Sequence, residues 1–402
     1  MRIGPGAVVA LPVLNGVLWA ASPPAGDPRQ ALGEAVGSTA VLLFATALVL
    51  ATRARWIERS FGGLDRVYRA HRRAGRWGSG CLAVHVAVVP WALASPGGTP
   101  SGFVAAAGFL VFVLLCAVRR LRYAAWRRSH RLIGVFFLVS LAHALLVEQV
   151  VDTATGPFLL LAAAYVAGVV AYAYVLLLAR FVRPRRSYVV RAVHRLDPVT
   201  VEVALSPRRG AGLLIRPGQF VFVTFHRRGL REPHPFTVSS GPSDEVLRLT
   251  IRSAGRFTTR VHRDLEPGTR ATVEGGYGML DLTGSRPRQV WVAAGIGITP
   301  FLGRLRAGGP TRSVDLFYVV RRAEDALFRS EIEGRAGLRV HLVVTSESGR
   351  LTAERIAATA GCLGDVDFYL CGPEPMTTGL AAGLRGLGVP ASAVHLELAA
   401  FR

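Results

Sequence analysis

Four histidines fall at or inside apolar segments in the first half of this chain: His71 and His85, fourteen residues apart, and His130 and His143, thirteen apart. At a helical rise of about 1.5 Å per residue, either spacing sets two rings roughly 20 Å apart along an axis. That is about two-thirds of the hydrocarbon core of a bilayer. Neutral imidazole is the commonest side-chain metal ligand. A single histidine in such a segment is explained by burial with a hydrogen-bond partner. Four in matched pairs ask for more, because ionisable side chains in membrane segments are costly and functional by default. Two parallel helices carrying these pairs can hold two haems, one above the other, with His71 level with His130 and His85 level with His143. Iron held by two histidines has no vacant position, which suits electron transfer. Arg72, Arg73, Arg127, Arg128 and Arg131 lie near the first pair. They can meet haem propionates, or they simply mark the positive side of a membrane.

One angular mismatch constrains this arrangement. At about 100° per residue, fourteen residues return a side chain to within about 40° of its starting direction, whereas thirteen leave it about 140° away. His130 and His143 therefore do not share a face of an ideal helix. Either the helix is frayed or kinked at His130, or the two haems sit at different azimuths.

The surrounding elements must position these side chains. The chain has 402 residues, 51% of them hydrophobic, which suits a membrane protein with a soluble appendage. Candidate spans are roughly 7–22, 35–52, 77–95, 102–118, 130–148 and 157–181. The first also has the look of a signal peptide, with Arg2, a short apolar run and Ala20, Ala21 and Ser22. The formal charge is +22, and all 48 basic residues are arginine. Many of these arginines lie in alternate loops: Arg53 to Arg76 after span 2, Arg119 to Arg131 after span 4, and Arg180, Arg183, Arg185 and Arg186 at the end of span 6. The opposite loops, 23–34, 96–101 and 149–156, hold only Arg29. The asymmetry predicts a multi-pass protein of the plasma membrane with its basic loops and C-terminal half in the cytoplasm. It accounts for the charge without a nucleic-acid partner. Cys81, Cys116, Cys362 and Cys371 form no CxxC pair, and so neither a disulfide framework nor a zinc site.

Beyond Pro184 short β-rich runs appear: Tyr188–Val193, Val199–Leu205, Phe220–Phe225 and Leu247–Arg252, separated by turns such as Pro217-Gly218 and Pro267-Gly268. They predict a small antiparallel barrel. His234-Pro235-Phe236-Thr237, with Ser240, offers a fixed turn, an aromatic for a ring system and hydroxyls for a flavin. Downstream, Arg252 can pair with a pyrophosphate, and Gly255, Phe257 and Thr258 open a helix whose N-terminal amides suit the same anion. From about Arg288 strands Val290–Ala294, Ser313–Val319, Arg339–Thr345 and Asp367–Cys371 alternate with helical stretches, an α/β nucleotide-binding layout. Gly295 and Gly297, followed by Thr299 and Pro300, sit where a dinucleotide phosphate loop is required. Arg321 and Arg322 follow the second strand and can meet an adenosine 2′-phosphate, or are plain surface charge. Cys371, Gly372 and Pro373 suit a close nicotinamide contact. Phe401 can cover a flavin ring, or is a frayed terminus.

Taken together, these motifs resemble the NADPH oxidase and ferric reductase superfamily, its short bacterial oxidases above all. The resemblance covers nearly the whole chain. It implies a membrane α-helical bundle of six spans (1–183) followed by an antiparallel β-barrel flavin domain (184–286) and an α/β nucleotide-binding domain (287–402). It implies an inner b-type haem on His71 and His130, an outer one on His85 and His143, FAD on the His234–Thr237 motif, and NADPH or NADH on Gly295–Pro300 and Cys371–Pro373. Phe401 matches the family's terminal aromatic, with Arg402 as an extra residue. Departures are Glu274-Gly275-Gly276-Tyr277-Gly278 in place of a GPYG-like stretch, the lack of a calcium-binding loop, and outer loops with almost no cation to steady superoxide.

The expected activity is transfer of electrons from cytoplasmic NAD(P)H through FAD and the two haems to an extracytoplasmic small molecule. Oxygen, giving superoxide, is the first choice, and a ferric or cupric chelate the alternative. A flavin reductase merely anchored by inert spans would keep the soluble motifs and hold no haem. A transporter with a redox sensor domain would need further polar residues at mid-membrane, and few are present. The residues specify no partner subunit.

Overall fold

The computed structural model describes residues 4–22, 27–90, 98–117, 123–147 and 155–398. It falls into two compact units, Met1–Val182 and Arg183–Arg402.

The first unit is helical: α1 (Gly4–Ala21), α2 (Pro28–Ala51), α3 (Arg55–Phe61), α4 (Leu64–Val88), α5 (Gly98–Ala117), α6 (Tyr123–His130), α7 (Ile133–Leu146) and α8 (Gly156–Ala173). A π turn at Tyr174–Leu178 carries α8 into α9 (Ala179–Val182). Asp27 starts α2 by accepting the amide of Arg29, with Pro28 at the first helical position. Five described helices are long and apolar enough to cross a membrane: Gly4–Ala21, Pro28–Ala51, Gly98–Cys116, Ala125–Leu146 and Gly156–Val182.

Helix α4 is not among these five, and it differs from the span expected at 77–95. Helix α4 begins at Leu64, so Arg66, Arg69, Arg72, Arg73 and Arg76 ride on it rather than in a loop. The reason is a helical pattern that overall hydropathy hides: Leu64, Val67, Ala74 and Gly78 recur on one face and are buried, while the arginines share the rest of the surface. It ends at Val88, where the amide of Val89 caps it on the His85 carbonyl. Helix α2 packs along α4 and α5 packs along α7. Between them Phe44 and Phe109 stack with ring centroids 4.2 Å apart and planes 6° apart. Gly78, midway between His71 and His85, faces Phe44 closely.

The second unit opens with six antiparallel strands: β1 (Arg185–Arg195), β2 (Thr200–Pro207), β3 (Phe220–Phe225), β4 (His234–Thr237), β5 (Leu247–Arg252) and β6 (Arg270–Tyr277). Their order is β4-β3-β6-β1-β2-β5. A bridge from Val238 to Leu249 links the two ends, so the barrel is nearly closed. Val201, Val203, Val221, Val223, Leu249 and Val273 fill it, and helix α10 (Arg256–Asp264) seals it with Phe257 and Val261.

Five parallel strands follow: β7 (Arg288–Ala294), β8 (Ser313–Val320), β9 (Leu338–Val344), β10 (Val366–Gly372) and β11 (Val394–Leu398). Their order is β11-β10-β7-β8-β9. Alternate residues feed two cores, Trp291, Leu316 and Tyr318 on one face and Val290, Val292 and Phe317 on the other. The chain order reverses between β7 and β10, the switch point where open α/β sheets bind ligands.

Arg306, in α11 (Thr299–Arg306), ties the barrel to the sheet. Its guanidinium donates to Glu202 of β2 at 3.1 Å, to the Ser239 carbonyl at 2.9 Å and to both oxygens of Glu331 at 2.8 Å. Hydrogen bonds from Arg306 hold the Glu331 carboxyl below its ordinary 4.5 despite burial. A carboxylate so lowered stabilises the fold fully above its unfolded pKa and loses that contribution as pH falls through the folded one. R306A is expected to cost about 3 kcal/mol, because it strips a partner from the buried Glu202 carboxylate. Chemical denaturation of the full chain, followed by near-UV circular dichroism, should show this loss at neutral pH and a shallower acid dependence below about pH 4.5.

Candidate functional site

The helical unit brings the four histidines together two by two. The ring centroids of His71 and His130 lie 6.0 Å apart, with planes at 76°. Those of His85 and His143 lie 6.3 Å apart, with planes at 74°. A metal held by two imidazoles, at about 2.0 Å per bond, puts the ring centres about 6 Å apart. Among the described residues no group of three or more His, Cys, Asp or Glu side chains could hold a bare metal ion. Two imidazoles suit an iron whose other four ligands come from a macrocycle.

The mismatch between His130 and His143 is relieved by a break. Helix α6 ends at His130, Arg131 and Leu132 form a turn, and α7 begins at Ile133. The Tyr172 hydroxyl donates to the freed carbonyl of Arg131 at 3.0 Å.

The neighbouring helices hold three of the rings. His71 Nδ1 bonds the Ala47 carbonyl at 2.8 Å, His85 Nδ1 the Gly33 carbonyl at 2.7 Å, and His143 Nδ1 the Gly98 carbonyl at 2.7 Å. A carbonyl is only an acceptor, so Nδ1 carries the proton and Nε2 is the nitrogen left to ligate. One turn beyond each carbonyl of the outer pair stands a second glycine. A Cβ on Gly37 would sit 2.7 Å from His85 Nδ1, and one on Gly102 2.8 Å from His143 Nδ1. The sequence reading missed Gly33, Gly37, Ala47, Gly98 and Gly102. The signal available was small residues four apart in apolar helices.

On the barrel, β4 presents His234, Pro235, Phe236 and Thr237, all half-buried. The His234 ring stacks on Phe257 with centroids 3.6 Å apart, and Phe236 lies 6.5 Å from Phe257. Ser240 is turned inward, where its hydroxyl accepts the Arg248 amide at 3.1 Å. Thr258 caps α10, its hydroxyl accepting the amides of Ala254 and Gly255 at 2.9 and 3.1 Å. The amides of the first turn of α10 have no partner within the helix. Arg252, exposed at the end of β5, lies beside Gly295, 3.5 Å from the place of a Cβ there.

The two nucleotide motifs meet at the switch point. Gly295–Ile298 forms a 3-10 turn after β7, and Cys371, Gly372 and Pro373 close β10. A Cβ on Gly297 would lie 2.3 Å from the Cys371 carbonyl, and one on Gly372 2.8 Å from the Ala294 Cβ. The Thr299 hydroxyl donates to the Ile296 carbonyl at 3.1 Å, and Pro300 is buried at the start of α11. Burial pushes the hydroxyl of nearby Tyr318 up to about 12, against the pull of Arg252, so it stays a neutral donor. Arg321 and Arg322 are exposed beyond β8, with Arg322 3.4 Å from Glu324. Phe401 lies outside the described residues.

Known proteins give matching signals. A family described as "Ferric reductase like transmembrane component" matches residues 36–141, and one described as "FAD-binding domain" matches residues 190–293. A flavohemoprotein of Chromobacterium violaceum is 30% identical over 48% of this chain and 55% of its own length. Ferredoxin--NADP reductase B of Sorangium cellulosum is 29% identical over 51% of this chain and 94% of its own. NADPH oxidase 1 of Rattus norvegicus is 30% identical over 38% of this chain and 26% of its own. The chain thus spans about half the flavohemoprotein and a quarter of the oxidase. A solved flavohemoglobin from Malassezia yamatoensis shares the fold at a TM-score of 0.54 and 17% identity, over 92% of this chain and 98% of its own.

The two glycines against the outer rings generate a test. For a haem held by His85 and His143, G37A and G102A are expected to displace these rings and lower the haem bound per protein, by pyridine haemochrome assay, since partners of this kind are worth about 10–100-fold in metal affinity. G16A, where a Cβ meets open space, should leave the ratio unchanged.

Proposed function

We propose, for a chain that belongs to the NADPH oxidase and ferric reductase superfamily, transfer of electrons from cytoplasmic NAD(P)H to an acceptor on the far side of the plasma membrane. The protein is an oxidoreductase with membrane-crossing helices, a flavin domain and a nicotinamide-binding fold. The observation that carries the reading is the pair of imidazole pairs, 6.0 and 6.3 Å between ring centroids, on helices of one bundle. When bound, NAD(P)H, FAD and two haems supply hydride transfer, its division into single electrons and conduction across the bilayer.

The chain's own residues bind, orient and exclude water. His71 with His130, and His85 with His143, would each clamp one iron. The stacked Phe44 and Phe109 fill the bundle interior and keep water out of it. Arg252 and the start of α10 would take the flavin pyrophosphate, and the His234–Phe257 stack would stand beside its rings. Gly295 and Gly297 would bring backbone to the nicotinamide dinucleotide's phosphates, Cys371 would border its reactive end, and Arg321 and Arg322 would favour NADPH over NADH. In this reading α4 is the sixth span, with its arginines at the cytoplasmic end and the bilayer as its surroundings.

Oxygen, reduced to superoxide, is the proposed acceptor. A ferric or cupric chelate is the second reading. It is favoured by the match of residues 36–141 to a ferric reductase component and by outer loops whose sequence offers only Arg29 as a cation.

An anaerobic absorption spectrum of the detergent-purified protein, taken before and after NADPH and then in air, tests this. Low-spin haem bands that NADPH reduces and air rapidly reoxidises, with superoxide formed, support the oxidase. Bands stable in air that discharge to ferric citrate support the metal reductase. A flavin spectrum without haem overturns both. H85A and H143A are expected to abolish outward transfer while leaving NADPH oxidation by a soluble dye intact. Full outward transfer in either variant would rule out the ladder.

A further inference from the structure

Three of the four histidines are held alike, and the fourth is not. His71, His85 and His143 each give Nδ1 to a backbone carbonyl of an adjacent helix. His130 has no such carbonyl among the described residues. Its Nδ1 lies 3.8 Å from the Cys116 sulfur of α5. The same sulfur accepts the indole N–H of Trp126 at 3.4 Å. Trp126 in turn stacks on the His130 ring, with centroids 5.1 Å apart and planes 15° apart. The helix then breaks, so no regular backbone fixes His130 from its C-terminal side.

We propose that Trp126 and Cys116 are positioning residues for His130, forming a side-chain clamp in place of the backbone carbonyl that serves the other three rings. The inference rests on the haem reading above. The stack fixes the plane of the imidazole, and the sulfur fixes its rotation within that plane by accepting a hydrogen bond from Nδ1–H. Sulfur is a weak acceptor. A ligand whose Nδ1–H is strongly bonded is the more basic one and favours the ferric state. His130 is then the least basic of the four, and the inner iron is bound by two unequal imidazoles, the outer by two equal ones. The clamp makes the inner site adjustable by side-chain substitution alone.

The test is a potentiometric titration of the two haems in the full-length detergent-purified protein, with electron paramagnetic resonance of the oxidised state. Two further readouts are haem loss to apomyoglobin and the loading ratio. C116S supplies a stronger oxygen acceptor and should lower the inner potential while leaving the outer unchanged. C116A and W126A should shift the inner low-spin signal and speed release of one haem by about tenfold or more. W126F keeps the stack and loses the N–H, so it should release haem as slowly as the wild type. Inner potential, spectrum and release rate all unchanged in C116S, C116A and W126A would overturn the clamp while leaving the haem reading intact. A wild-type protein without haem would overturn both.

Discussion

The hydrogen bond between an imidazole Nδ1 and a backbone carbonyl of the adjacent helix is the contact on which the membrane half depends. Each bond does two jobs. It satisfies a polar nitrogen where water is scarce, and it fixes the tautomer that leaves Nε2 available. It also makes helix packing and ligand geometry one problem. Helix α2 supplies carbonyls to both histidines of α4, and α5 supplies one to α7. A shift of α2 along α4 therefore moves two rings at once. Gly37 and Gly102 let the rings of His85 and His143 approach closely enough for the bond to form.

The pairing of His71 with His130 and of His85 with His143 was readable from spacing, and so was the angular misfit of thirteen residues. Which remedy applied was not readable. The break at Arg131 and Leu132 carries no proline or glycine, and it is stabilised by a tyrosine forty-one residues away in sequence. The start of α4 was misplaced for a related reason. Its arginines lower the local hydropathy, while a narrow apolar stripe through Leu64, Val67 and Ala74 still drives helix formation and burial. The four-residue spacing of glycines 33 and 37, and of 98 and 102, was visible, but it signals close helix packing in general, and only the structure sets a ring against Gly37 and Gly102.

In the soluble half, β-branched runs such as Phe220–Phe225 and Leu247–Arg252 stood out with their observed limits. Strand β6 did not, because its Glu274-Gly275-Gly276 stretch breaks the apolar pattern. Its pairing with β1 and β3 comes from tertiary contacts. The bond from the Arg248 amide to the Ser240 hydroxyl is set by the approach of β5 and is invisible in local sequence.

The reciprocal contact at the switch point has an evolutionary side. Gly297 is fitted to the carbonyl of Cys371, and Gly372 to the side chain of Ala294. Two segments more than seventy positions apart thus behave as a single heritable unit. A change in one is tolerated only with an answering change in the other, so a recombination breakpoint between β7 and β10 would mate loops that have never been selected together. Exchanges of nicotinamide specificity among such chains should instead travel through the exposed ground after β8, which neither glycine touches.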